Sequence, residues 1–451
     1  MLKDPKLIEE SLARVKDKLI TVDQALDMVQ SNWQIVTGLG CSEGKVFCQN
    51  LHKIADRVTN VTVNNCLPMD NYPFYVDPQY RHSFNLAGWF YAASIRKAHK
   101  NGNCSFIPNN LHFAGKKRFD NIHVNMYVGL ASMPDEHGYV SLSLGNTYEK
   151  EACEAADIVI LEINPKAPRC FGDVQMPISD VDHFIYVDYD IPAIPDADPN
   201  EKDKMIASYI LPFVHDGCCI QLGIGGMPNA VATALYDKKN LGVHTEMLTS
   251  EMAKLAKAGV INGKCKNINN GQIAATFAMG TQELYDFIDN NPSVVFNRGS
   301  WTNDPYVIAQ NDNQLSINTT MEVDLTGQCA SESIGSMQWS GCGGQADTVI
   351  GSQMSKGGHS IICLYSTAMV RNPATGEKEE KSKIVAQLKP GAAVSTSRAD
   401  VEYVCTEYGI VNLKGTTIAE RVEKLISIAH PKFREQLWKD AYEAGIIYPK
   451  D

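Results

Sequence analysis

Apolar positions along this chain follow two periods. Leu7, Ile8, Leu12, Val15 and Leu19 recur at three- and four-residue spacing, which predicts an amphipathic helix at the start. A second helix is predicted from Thr21, because Gln24 three residues on can form a capping box with it. Short apolar runs bounded by glycine or polar residues come between such patterns. Examples are Trp33–Thr37, Cys218–Leu222, Leu241–Thr245 and Ser360–Leu364, each too short for a helix and suited to a buried strand. Helical and strand patterns alternate throughout, which predicts an α/β fold with largely parallel sheets.

One unit of this pattern occurs twice. The helix Val22–Gln30, the turn Ser31–Asn32, the strand Trp33–Thr37 and Gly38–Gly40 match the helix Lys204–His215, the turn Asp216–Gly217, the strand Cys218–Leu222 and Gly223–Gly226. Between the copies, Ile191–Lys204 holds Pro192, Pro195 and Pro199 among several acids. Proline lacks the N–H that a ladder or helix needs. The expected division is therefore 1–200 and 201–451, two similar open α/β domains.

Composition narrows the function classes. The chain has 451 residues, 44% apolar and 21% charged, as for a soluble globular protein. Its 41 Lys and Arg against 52 Asp and Glu give a net charge of −11, which argues against a general nucleic-acid binder. No run approaches the ~18 apolar residues of a membrane span. The start, Met1–Pro5, lacks the basic-then-apolar layout of a signal peptide. The expectation is a cytoplasmic protein. Thirteen cysteines include no Cys-x-x-Cys pair, and Cys219 and Cys363 sit in apolar runs, as small buried hydrophobes do in a reducing compartment. No His/Cys cluster has the spacing of a metal site, so no metal is expected.

Three stretches could carry chemistry. In Gln221–Asn229 a buried run ends in Gly223-Ile224-Gly225-Gly226, with Pro228 suited to the first turn of a following helix. Such a turn either cradles a phosphate or oxyanion or simply reverses the chain. Pro228 breaks the dinucleotide-binding glycine fingerprint. In Leu241–Met247, Glu246 follows a strand pattern, where α/β sheets bind ligands. It is a base, a nucleophile, a ligand or a solvated loop carboxylate, and His244 reads as structural. In Trp339–Asp347, three glycines within Gly341–Gly344 fit an anion-binding nest or a sharp turn. Lys356 in Ser355–Gly358 offers a cation, and Asn303 and Asn318 are candidate amide contacts. No Gly-x-Ser-x-Gly elbow supports serine catalysis.

Together these stretches resemble the acetyl-CoA hydrolase/transferase family, within the class I CoA-transferases. The matching pieces are Gln221–Val231, Gly242–Met247, Ser340–Asp347, Ser355–Gly358, Thr406–Gly409 and Ile428–Pro431, over nearly the whole chain. The branches most alike are the butyryl-CoA:acetate and 4-hydroxybutyrate CoA-transferases. Gly226-Met227-Pro228-Asn229 is closer to the butyryl branch, whereas the loop Thr37–Ser42, expected to line the acyl pocket, departs from both.

The resemblance implies a duplicated CoA-transferase fold with the active site between its two domains, the C-terminal one carrying the catalytic glutamate. It makes Glu246 the covalent catalyst and assigns CoA contacts to Gly223, Ile224, Gly225, Gly226 and Met227. It places the Gly344 amide near the reacting carbonyl, and the segment around Asn318–Met321, with Met321, and Lys356 against CoA. CoA would be a cosubstrate, with no tightly bound cofactor. The partners implied are acyl-CoA and short carboxylates, with no nucleic acid or membrane, in a homo-oligomer of two or four chains. The reaction implied is ping-pong transfer through a glutamyl-CoA thioester. The transfer expected is between a short-chain acyl-CoA and an acid such as acetate, and the alternatives are acyl-CoA hydrolysis at the same glutamate or transfer to and from 4-hydroxybutyrate.

Overall fold

Val124–Ala131 is buried at all but one position, and Ala156–Ile163 is buried from Val159 onward. Strands covered on both faces by helices have this character, and these two pair in parallel. The computed structural model containing them describes residues 1–223, 225–371 and 375–449. Contacts divide the chain into two units. The first is Met1–Pro195, His244–Ala253 and Gln272–Asp304, and the second is Asp196–Val243, Lys254–Gly271 and Pro305–Asp451.

The first unit is built on a seven-stranded sheet in the order His183–Tyr186, Ala156–Ile163, Val124–Ala131, Gln34–Thr37, Val61–Asn65, Phe84–Gly88, Cys104–Phe106. Every pairing in it is parallel. Phe47, Phe74, Tyr75, Phe84, Ile95 and Val128 lie in the apolar core beside it.

The second unit carries a six-stranded sheet in the order Gly242–Val243, Cys219–Leu222, Gln314–Thr319, His359–Cys363, Tyr403–Thr406, Gly409–Asn412. Only the last pair is antiparallel. Its core gathers Val323, Ile362, Val404, Val422, Leu425 and Leu437.

The two sheets share one topology. Gln34–Thr37 lies between Val61–Asn65, the next strand in sequence, and Val124–Ala131, with Ala156–Ile163 and His183–Tyr186 beyond. Cys219–Leu222 lies between Gly242–Val243, again the next strand, and Gln314–Thr319, with His359–Cys363 and Tyr403–Thr406 beyond. The helix before each first strand begins with a capping box. Thr21 and Gln24 bond reciprocally at the start of Val22–Met28, as do Asn200 and Asp203 at the start of Glu201–Ile210. The two-domain α/β expectation is met in this form.

Two details differ from the sequence pattern. The first helix is only Pro5–Ala13, with a 3₁₀ turn at Lys16–Lys18, and Leu7 is exposed. Of its apolar stripe only Val15 is fully buried. The units also do not follow a linear cut at residue 200. The contact boundary at Pro195 falls inside the proline-rich stretch, but His244–Ala253, with Glu246, packs in the first unit. The cause is local. The chain leaves the second sheet at Val243, and His244 bridges to Ala274 in the strand Ile273–Ala275. That strand pairs with Val294–Phe296, which pairs with Phe171–Gly172 of the first unit. Among the described residues no helix is long and apolar enough to cross a membrane.

Candidate active site

The strand Cys219–Leu222 ends at Gly223, whose N–H donates to the Ile317 carbonyl at 3.0 Å. Ile224 lies outside the described residues. Gly225 then adopts φ +115° and ψ −176°, a conformation open to glycine alone, and caps the helix Gly226–Thr233. Pro228 takes the third helical position, where no intrahelical bond is lost. This turn forms one side of a cavity of about 270 Å³ within the second unit. Of the residues singled out from the sequence, Gly225, Gly226, Met227 and Met321 line it. Thr319 and Thr320, beside Met321 in the segment the resemblance sets against CoA, line it too, as do Ser331, Tyr365 and Lys383, which the sequence did not mark.

Gly344 caps the helix Gln345–Met354 with φ −100°, an ordinary value, and the residue in the left-handed region is Gly343 at φ +54°. Gly344 does not line the cavity, but its neighbour Gln345 is tied to the wall. The Gln345 Nε2 donates to the Thr319 carbonyl at 2.8 Å, and its Oε1 accepts from the Ser331 hydroxyl at 2.6 Å. Asn318 is engaged inside the sheet, donating to Ser316 Oγ at 2.8 Å and Thr348 Oγ1 at 2.9 Å. Lys356 is not brought to this place. It precedes the strand His359–Cys363, whereas Cys363 and Leu364 at the other end line the cavity. Its side chain is 87% exposed, and its ammonium lies 3.8 Å from the Asp312 carboxylate.

Glu246 occupies a bend between Gly242–Val243 and Met247–Leu248 and is half-buried. Its main-chain carbonyl accepts from Thr276 N–H at 2.9 Å, Phe277 N–H at 3.2 Å and the Thr276 hydroxyl at 3.0 Å. Its Oε2 accepts from Asn303 Nδ2 at 3.3 Å, and Asn303 is 1% exposed. Backbone and carboxylate are thus both held. His244 is buried, and its Nε2 donates to the Thr302 carbonyl at 2.7 Å.

The loop Thr37–Ser42 is fully buried and lies in the same unit as Glu246. Gly40 sits at φ +52°, donates its N–H to the Cys66 carbonyl at 3.0 Å, and leaves a Cβ only 2.8 Å from the Met279 sulfur. Burial pushes the Cys66 thiol well above its ordinary range, and the carboxylates of Glu149 and Glu246 push it the same way. Cys66 therefore links the loop to the neighbourhood of Glu246. Among the described residues no cluster of His, Cys, Asp and Glu could hold a metal ion.

Known proteins share this architecture along its length. A model of the acetyl-CoA hydrolase/transferase N-terminal domain matches residues 9–195, and one of the C-terminal domain matches residues 280–441. The 4-hydroxybutyrate coenzyme A transferase of Clostridium kluyveri is 38% identical over 94% of this chain and 97% of its own. The butyryl-CoA:acetate CoA-transferase of Anaerostipes caccae is 36% identical over 95% of this chain and 97% of its own. The crystal structure of RipA from Yersinia pestis superposes with a TM-score of 0.88 at 31% identity, covering 97% of this chain and all of that one. At such identity over nearly its whole length, the chain belongs to the acetyl-CoA hydrolase/transferase family.

Proposed function

We propose that the protein is a CoA-transferase that moves CoA from a short-chain acyl-CoA to a carboxylic acid such as acetate, through a thioester on Glu246. Relatives that span the chain are named for 4-hydroxybutyrate and for butyryl-CoA and acetate. The observation that carries the reading is the hold on Glu246, with three donors on its carbonyl and the Asn303 amide on its carboxylate. A nucleophile held in its attacking pose avoids the entropic cost of positioning it at each turnover.

Transfer conserves the thioester bond by exchange. The Glu246 carboxylate attacks the acyl carbonyl, the C–S bond breaks, and CoA thiolate leaves a mixed anhydride behind. The thiolate attacks the glutamyl carbonyl, the anhydride C–O bond breaks, and the donor acid departs. Glu246 then carries CoA, and the acceptor carboxylate runs both steps in reverse. Each attack creates an oxyanion on or beside the side chain that Asn303 contacts, and the Gly344 amide is a second candidate donor. In the second unit, the turn at Gly223–Met227 and Met321 hold CoA. The same reading expects two or four identical chains and a cytoplasmic location. Eleven of the thirteen cysteines are buried free thiols, which suits a reducing compartment.

The test is to trap the intermediate. Incubation with butyryl-CoA and no acceptor should raise the intact mass by one CoA less one water, on the peptide containing His244–Met247. Glu246→Ala should give no adduct and no transfer, and double-reciprocal plots for the wild type should be parallel. An active Glu246→Ala protein, or label on another glutamate, would overturn the mechanism. Release of CoA at the same rate with and without acetate would make the protein a hydrolase.

A further inference from the structure

Among the described residues lining the cavity around Gly225–Pro228, Lys383 carries the only charge. It joins the strand Lys378–Ser382 to Ile384–Val385, and its backbone is fixed from both sides. Its N–H donates to the Ser366 carbonyl at 2.9 Å, and its carbonyl accepts from Val323 N–H at 3.0 Å. Among the described residues its ammonium makes no hydrogen bond or ion pair. Burial lowers its pKa, and the carboxylates of Glu322 and Glu407 oppose that shift from farther away.

Both carboxylates are engaged elsewhere. Glu407 pairs with Lys202 at 2.9 Å and accepts from the Ser366 N–H and hydroxyl, each at 2.8 Å. Glu322 lies 3.7 Å from Lys389. A cation withdrawn from water without a counter-charge costs stability, and evolution retains such groups where a ligand supplies the missing partner.

The cavity also limits the ligand. Its roughly 270 Å³ is below the ~300–1,000 Å³ that encloses a whole ligand, so it takes one part of a larger molecule. Thr319, Thr320, Ser331 and Tyr365 supply hydroxyls, and the N-terminus of Gly226–Thr233 favours negative charge. In CoA the pantetheine arm, the thioester and the adenine are neutral at pH 7, and only the phosphates are anionic.

We propose that Lys383 recognises a phosphate group of CoA, as a binding residue with no part in the bond-making steps. The proposal rests on the reading that the second unit holds CoA. The shared chemistry is a phosphate oxyanion, from either the 3′-phosphate or the diphosphate.

Calorimetric titration of the full-length protein with CoA, dephospho-CoA and pantetheine tests it, comparing wild type with Lys383→Met and Lys383→Arg. Lys383→Met should weaken CoA binding about 10- to 100-fold, the scale of a lost charge-assisted hydrogen bond, and leave pantetheine binding unchanged. Lys383→Arg should stay within a few-fold of wild type. A loss confined to CoA assigns the contact to the 3′-phosphate, and an equal loss with dephospho-CoA assigns it to the diphosphate. The ligand-free Lys383→Met protein should melt at or above the wild-type temperature, because an unpaired charge is gone, whereas a structural lysine would lower it. Unchanged CoA binding, equal loss of CoA and pantetheine, or a lowered melting temperature overturns the assignment of Lys383. A wild-type protein that binds no CoA overturns the reading of the whole cavity instead.

Discussion

The amide of Asn303 stands 3.3 Å from Oε2 of Glu246 and donates to it. Asn303 owes its place to the short helix Gly299–Thr302, whose C-cap it forms by donating its N–H to the Gly299 carbonyl at 3.0 Å. Charge builds on that oxygen when CoA thiolate attacks the glutamyl carbonyl, so the amide should matter more in the transition state than in the ground state. Asn303→Leu should lower kcat about 100- to 1,000-fold, as for other single oxyanion donors, with the KM for acyl-CoA little moved. Asn303→Asp should lose as much, because a second carboxylate there disfavours ionised Glu246. Steady-state kinetics with melting curves as the folding control decide it, and a near-wild-type kcat in both variants would remove Asn303 from the chemistry.

Gly225 offers a separate test, since a Cβ there would meet nothing within 4 Å. Only its backbone resists substitution. At φ +115° any L side chain is strained, by about 1–3 kcal/mol. Gly225→Ala should therefore lose about that much stability in urea unfolding, or relax the turn and weaken CoA binding. A variant with wild-type stability and wild-type CoA affinity would show that the turn is neither strained nor used.

Glu43 makes stability depend on pH. It is 2% exposed, and its Oε1 accepts from Met69 N–H at 3.1 Å and from the Tyr72 hydroxyl. Burial outweighs these bonds and pushes the carboxyl from 4.5 up to about 8. Between those values the folded protein holds a proton that the unfolded chain has released. Stability is thus fully present below about pH 4.5 and falls as pH rises towards 8, by up to about 1.4 kcal/mol per pH unit. Burial pushes Glu162 the same way, to about 7. Glu43→Gln keeps an acceptor for Met69 and Tyr72 and removes one titration. Its urea midpoint should fall less than that of the wild type between pH 5.5 and 8.5, and parallel profiles would rule out a titrating Glu43.

Much of the fold was legible because its signals are local. Thr21 and Gln24 specify a cap by themselves, and the run Cys219–Leu222 has no amphipathic alternative to a buried strand. The first helix misled because helical spacing reports a face and not what covers it, and Leu7 faces solvent. The glycine turn was visible as a motif, and Gly225, Gly226, Met227 and Met321 do converge on one cavity. Lys383 was hidden. It follows the charged run Lys378-Glu379-Glu380-Lys381 after one serine, in a stretch that reads as a solvated strand, and only the pairing of Val323 with Ile384 carries it indoors. Glu246 was marked as catalytic by family resemblance, since a lone glutamate after a strand is ambiguous. Its attachment to the first unit depends on a bridge from His244 to Ala274, thirty residues away, which no local pattern encodes.

The discontinuity of the first unit has a consequence for synthesis. Phe171–Gly172 pairs with Val294–Phe296, and Val294–Phe296 with Ile273–Ala275, so the early part of the chain cannot complete its hydrogen bonding until Asp304 has been made. At a translation rate of 5–20 residues per second, the roughly hundred residues after Pro195 take roughly 5–20 s to appear. Through that interval a nascent chain that has already formed its large parallel sheet keeps an open strand edge at Phe171. A gene fragment ending near residue 200 would lack His244–Ala253 and Gln272–Asp304 for good, and so would encode an incomplete unit, not a self-sufficient half.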